Sequence, residues 1–412
     1  MSSSDREQDP RQRAGANRRT FIGGGLLSVV AAGAGAAAAT SLERDKVEPT
    51  SPEEAMVLPG EVVHTFHGAR QAGIAEPPQA ASTLIAFDLD EGGDRERVRR
   101  LMRIWTDDIE RLMSGRGTLT DQEPELAQRS AGLTVTVGWG PRLFVLAELE
   151  AVRPTWAQDL PAFSHDQLDP AYSGGDLVLQ ISAHSPITVA HAQRQLTTSS
   201  AGLASTRWVQ PGFREPMEYH GWSMRNLFGQ VDGTVQPRFE GPDADLVWIG
   251  PDGPTGWQHG SSMVVRRIAM KLDAWDRVGR TGRENAIGRH LDDGSPITGG
   301  PVDAPVDLSA TLDNGLPVVD GAAHVRLAAA TTRQEQFLRR PYTYQDMDGG
   351  EVRTGLVFVT YQADPVRQFV PVQQRLADGD LMNLWTTPVG SALFAVLPGC
   401  SPGRYLGQDL LT

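Results

Sequence analysis

GLVFVTYQADPVRQFVPVQQRL, residues 355–376, holds two patterns in one stretch. GLVFVTYQ is rich in β-branched and aromatic residues and reads as a strand. DPVRQFVPVQQRLA (364–377) reads as a helix, and SALFAVLP (391–398) as a second strand. The same order occurs earlier: LQISAHSP (179–186) and HAQRQL (191–196) mirror YQADP and RQFVPVQQRL. A strand–helix–strand unit used twice predicts an α+β chain of two halves with antiparallel sheets. The expected halves are 61–225 and 226–412, although their residues are too dissimilar to prove a duplication.

Working outward, TLIAFDL (83–89), GLTVTVGWG (132–140) and DLVLQIS (176–182) read as further strands. SSMVVRRIAMKLDAW (261–275) alternates throughout as a strand should. Between the first two strands, Val98, Leu101, Met102, Trp105, Ile109 and Leu112 recur at helical spacing, which marks a core-facing helix. A helix is also expected from about Pro186 to Thr197.

The N-terminus has the layout of an export signal. An arginine-rich segment containing Arg18-Arg19, with Phe21 two positions on, precedes the short Gly/Ala-rich run IGGGLLSVVAAGAGAAAAT (22–40). That run is too short and too weakly apolar to make a good membrane span. Residues 1–41 are therefore expected to be a twin-arginine signal peptide, cleaved near Ala39, and 42–60 a linker. The chain is acidic, with a formal charge of −13, and loss of a leader of net +2 takes it to −15. Such a charge argues against nucleic acid or an anionic membrane as a main partner. Cys400 is the sole cysteine, which excludes an internal disulfide and a cysteine-based zinc or iron–sulfur site.

Two segments carry candidate chemistry. In MRNLFGQVDGTVQPR (224–238), Asp232 lies between Gly229 and Gly233. The segment reads either as a surface turn or as a loop whose glycines let the backbone approach a flat ligand with one carboxylate aimed at it. In the second, His324 has small neighbours, and Arg339-Arg340 stand among aromatic residues. Most lone histidines are satisfied core residues, but a neutral imidazole is also the usual axial ligand of haem iron. One Asp, one His and one Arg are the minimum for a haem peroxidase: a proton carrier, an iron ligand and a charge stabiliser. GCSPG (399–403) imitates a serine nucleophile elbow, but no histidine follows it, as an α/β-hydrolase requires.

RNLFGQVDGT, HVRLA, FLRRPYTY, RENAIGRHLDDGSP and GSALFAVLPG together resemble the dye-decolourising peroxidases, segment by segment and in order. GARQAGI (68–74) and LDPAYSGGDLVLQISA (168–183) extend the resemblance through the first half. With its leader, the chain is similar to the exported type A subgroup. The resemblance implies two ferredoxin-like halves and haem b held mainly by the second. It implies oxidation of dyes or phenolics by hydrogen peroxide, in one-electron steps through a ferryl haem.

The resemblance places the distal carboxylate on Asp232, the distal arginine on Arg339 and the iron ligand on His324. Gly229, Gly233 and Thr234 then belong to the haem-contacting loop, and Arg289 lies near a propionate. Asp380 is the candidate acceptor for the His324 ring N–H, or alternatively a helix N-cap. Trp385 is a candidate surface radical site, or alternatively a core residue. The expected partners are hydrogen peroxide, aromatic reductants, the twin-arginine translocase and a second copy of the chain in a homo-oligomer. The alternative functions are haem-iron handling of the deferrochelatase kind and electron exchange with a copper protein. The chain departs from the family's usual residues at Arg70 and Pro341, which bears on substrate access.

Overall fold

The computed structural model describes residues 61–412 apart from 91, 93 and 217–222. The expected leader and linker lie outside the described residues. The first half contains β1 (Ala81–Leu89), α1 (Arg95–Met113), β2 (Thr134–Trp139), α2 (Pro141–Leu146), β3 (Leu177–Ala183), α3 (Pro186–Ser199) and β4 (Ala204–Phe213). A hairpin of β5 (Met224–Arg225) and β6 (Val231–Asp232) follows, then α4 (Ala244–Val247), β7 (Ser261–Met270), α5 (Leu272–Asp276), α6 (Arg280–Ile287) and α7 (His324–Ala328). The chain continues through β8 (Leu338–Arg339), β9 (Tyr342–Asp348), β10 (Glu351–Gln362), α8 (Phe369–Gly379) and β11 (Thr386–Val396).

The main sheet runs β7-β11-β2-β3-β1-β4-β9-β10-β8, and β7 also pairs with β10, which closes an eight-stranded ring. Each half contributes four strands in the same antiparallel order, β2-β3-β1-β4 and β9-β10-β7-β11, the ferredoxin-like arrangement. The last strand of each half reaches the second strand of the other. Those seams are slight: two residue pairs join β11 to β2, and Phe213↔Thr343 alone joins β4 to β9.

Burial explains the sequence patterns. Side chains from both halves, among them Val178, Trp208, Met263, Tyr361 and Phe394, fill the ring. Helices cover its outer faces, so every residue of β2 and of β3 is buried; strands buried on both faces read as continuous apolar runs. The whole predicted stripe of α1 is buried, and Asp94 caps its start by accepting from the Arg97 N–H at 2.8 Å.

Two boundaries differ from expectation. The alternation of 261–275 breaks at Lys271, after which α5 begins. The helix expected from 364 starts at Phe369, because the Asp364 carboxylate accepts the Val366 and Arg367 N–H groups and holds 364–368 as a turn.

One connection matters for the site. The first-half loop before β3 lies along β11, with Gln167, Asp169 and Gly174 N–H groups donating to Pro388, Val389 and Ser391 carbonyls at 3.0, 2.8 and 3.0 Å. The buried Arg266 of β7 holds Asp166 of this loop in a two-pronged ion pair. His165 is thereby carried to the second half, where Nε2 donates to the Thr386 carbonyl at 2.7 Å.

Candidate haem site

His324 opens α7, and the N–H of Leu381 donates to the Ala322 carbonyl at 3.0 Å, tying its approach to the segment after α8. That link brings His324 Nδ1 within 2.6 Å of Asp380 Oδ2. The other oxygen, Oδ1, accepts the Met382 N–H at 2.9 Å. Asp380 is thus both the imidazole's acceptor and an N-cap, so the two alternatives hold together. Burial pulls the His324 pKa down, but the charge and hydrogen bond of Asp380 outweigh it and leave it raised. With Nδ1 committed, Nε2 is the ring nitrogen left for a ligand.

Asp232 ends the β5–β6 hairpin, in register with Met224. The turn itself spans 226–230: Asn226 Oδ1 accepts the Phe228 and Gln230 N–H groups at 3.0 and 3.3 Å, and Gly229 takes φ 78°. Gly233, at φ 83°, redirects the chain immediately after Asp232. The turn reading therefore suits 226–230, and the carboxylate lies beyond it, facing a cavity. Gly229 serves the turn.

The arginine pair splits across the strand. Arg340 is fully buried, donating to the Glu76 carbonyl and to Gln79 Oε1, each at 2.6 Å. Arg339 projects to the opposite face, its Nε 3.4 Å from Asp232 Oδ1 and one terminal nitrogen donating to the Val235 carbonyl at 3.0 Å. Alternation of side chains along a strand produces this division.

A cavity of about 410 Å³ is lined by Asp232, Gly233, Thr234, Arg289, His324 and Arg339 among others. An adjoining compartment of about 150 Å³ shares Asp232, His324 and Arg339 and adds His165, Phe228, Phe358 and Asp380. Arg289 lies in the wall as expected. Its two terminal nitrogens, however, already donate to the Gly294, Val302 and Ala304 carbonyls at 2.8 to 3.0 Å, so it also organises the loop after α6. Half-buried Trp385 packs edge-on against buried Trp275, centroids 5.0 Å apart, and Trp275 meets Phe228 at 4.8 Å.

Sequence reading missed His165 and Gln236. No local pattern marks either; both reach the cavity through tertiary contacts. The residues present suit haem. One imidazole nitrogen is free, its partner nitrogen is held by a buried carboxylate, and the walls combine apolar side chains with Arg289 and Arg339 for anionic groups.

A two-half α+β ring with such a cavity fits the class of haem-dependent peroxidases. The chain belongs to the Dyp-type peroxidase family: the N-terminal family description matches residues 71–214 and the C-terminal one residues 223–401. It is 35% identical to the dye-decolorizing peroxidase of Thermobifida fusca, over 97% of this chain and 98% of that protein. It is 32% identical to the deferrochelatase of Yersinia pseudotuberculosis, over 96% and 94%. Among solved structures, a DyP-type peroxidase from Cellulomonas bogoriensis is 51% identical with a TM-score of 0.83, covering 86% of this chain and 99% of that one. DtpA from Streptomyces lividans is 38% identical with a TM-score of 0.82, covering 87% and 100%.

Proposed function

We propose that the chain is an exported peroxidase in which His324 ligates the haem iron, while Asp232 and Arg339 act together on hydrogen peroxide. The observation that carries this is the pairing of Asp232 and Arg339 at 3.4 Å in the same cavity as the His324–Asp380 pair. Bound haem supplies the redox centre that passes oxidising equivalents from peroxide to the donor. Asp232 takes a proton from one peroxide oxygen and returns it to the other. Arg339 stabilises the negative charge that develops as the O–O bond breaks. Asp380 keeps the His324 proton on Nδ1 and makes the imidazole a stronger donor.

Bulky dyes and phenolics would give up their electrons at the surface, and Trp385 is the assigned relay. Its contact with Trp275, and that of Trp275 with cavity-lining Phe228, supports this role. A second reading, haem-iron handling, is favoured by the deferrochelatase names of relatives that align over nearly the whole chain.

Rapid mixing of the haem protein with peroxide tests the assignment. Asp232→Ala should retain haem and slow the peroxide reaction by ~10²–10⁴-fold, and Arg339→Leu by ~10²–10³-fold. Because both act on one bond cleavage, the double variant should lose less than the product. Parental rates in both single variants would refute the pair, and sluggish turnover by the parent would favour haem handling. For export, replacing Arg18 and Arg19 together by lysine should leave unprocessed precursor inside the cell; normal secretion would disprove that route.

A further inference from the structure

Arg339 carries a long, many-rotamer side chain on a two-residue strand. What aims it is visible at its backbone. The Arg340 N–H donates to the Val359 carbonyl of β10 at 2.8 Å. Successive residues of a strand direct their N–H and C=O groups to opposite edges. Those of Arg339 therefore face away from β10. On that side the neighbouring strand β4 has already ended, at the Phe213↔Thr343 pair.

The Gln236 carboxamide occupies that edge. The Arg339 N–H donates to Gln236 Oε1 at 2.9 Å, and Gln236 Nε2 donates to the Arg339 carbonyl at 2.8 Å. One side chain thus supplies both hydrogen bonds that a further strand would have given. The same short segment also supplies the Val235 carbonyl and the Asp232 carboxylate to the guanidinium. Residues 232–236 therefore grip Arg339 at backbone and head together.

We propose that Gln236 is a positioning residue that fixes Arg339 relative to Asp232, acting on peroxide only through Arg339. This rests on the reading of Arg339 as the charge stabiliser. It goes beyond that reading by naming the group that sets the arginine's aim.

The test uses haem-loaded protein carrying Gln236→Ala, Gln236→Glu, Arg339→Leu, and Gln236→Ala combined with Arg339→Leu. Gln236→Glu keeps an acceptor for the N–H but, ionised, cannot donate to the carbonyl. It serves as the second variant should Gln236→Ala fold poorly. Four quantities are read: haem content, the residue-resolved exchange rate of the Arg339 amide hydrogen, fluoride affinity of the ferric protein, and the rate of reaction with peroxide. Fluoride probes the arginine at equilibrium, because a guanidinium stabilises an anion on the iron by a charge-assisted hydrogen bond.

Gln236→Ala should keep haem and speed Arg339 amide exchange without speeding that of Arg340. It should weaken fluoride binding and slow the peroxide reaction roughly tenfold or more, within the ~10²-fold that a small misplacement can cost. Added to Arg339→Leu, it should change neither quantity further. Equal losses in both backgrounds, or faster amide exchange with parental fluoride affinity and peroxide rate, would reduce Gln236 to a cap on a strand edge and overturn the proposal. If Arg339→Leu by itself leaves fluoride affinity and peroxide rate unchanged, the reading of Arg339 fails and the proposal fails with it, a result distinct from the other two.

Discussion

Asp380 divides its two oxygens between His324 and the Met382 backbone, and each contact constrains the other. An amide in its place has a single oxygen for two donors. Asp380→Asn should therefore keep haem but lose about 10- to 100-fold in iron affinity or peroxide turnover. His324→Ala should lose haem, which the ratio of haem to protein absorbance measures. Normal haem content in that variant would move the ligand to another histidine. Cys400 behaves oppositely. Burial, and then the charge of Glu110, push its thiol up to about 11, so at pH 7 only about 1 in 10⁴ molecules carries the reactive thiolate. It should remain unoxidised through peroxide turnover, as mass spectrometry would report. Its alkylation in the folded protein should rise about tenfold per pH unit as pH climbs toward that value, because only the thiolate attacks. Rapid alkylation at pH 7 would contradict the account.

At the scale of elements, what could be read from sequence was what repeats locally. The α1 stripe and the strand runs near 83, 134, 177 and 391 were legible because burial imposes a period or a continuous apolar run. β4 is not legible from sequence: ASTRWVQPGF contains Pro211 and exposes much of one face, and it is a strand because β1 pairs with it along its length. Asp232, His324 and Arg339 are legible as residues, yet their meeting depends on where the fold places the β5–β6 hairpin and the break between β8 and β9, which local sequence does not specify. Gly355 shows such a contact fixing one residue. A Cβ there would lie 2.1 Å from the Ile268 carbonyl oxygen and 2.6 Å from the Tyr344 ring. Gly355→Val should therefore push β7 and β10 apart and lower the melting temperature markedly, by an overpacking cost of about 1–3 kcal/mol or more. An unchanged melting temperature would mean the strands can shift to admit it.

At the scale of the molecule, the two halves are tied at several points. The seams consist of three residue pairs in all, and the remaining linkage includes side-chain contacts, Arg340 on the Glu76–Gln79 segment and Arg266 on Asp166, and the backbone hydrogen bonds of the first-half loop along β11. Residues 226–412 alone should not bind haem with the spectrum of the whole chain, since His165 and the loop beside β11 would be missing. Adding residues 61–225 in trans should restore it at least in part. Thermal unfolding of the whole chain should be a single transition, and two separated transitions would show that the halves are independent. The location of the cavity was legible only as far as its second-half residues.

The ring closes through β11, which pairs with β7 of its own half and β2 of the other, and Asp380 precedes it by only a few residues. During synthesis, β1 through β10 leave the ribosome with no partner for two of their edges, and His324 emerges before the carboxylate that orients it. A nascent chain therefore has no finished pocket to offer. Cofactor capture should therefore follow translation, and haem uptake should then report that the last strand has docked.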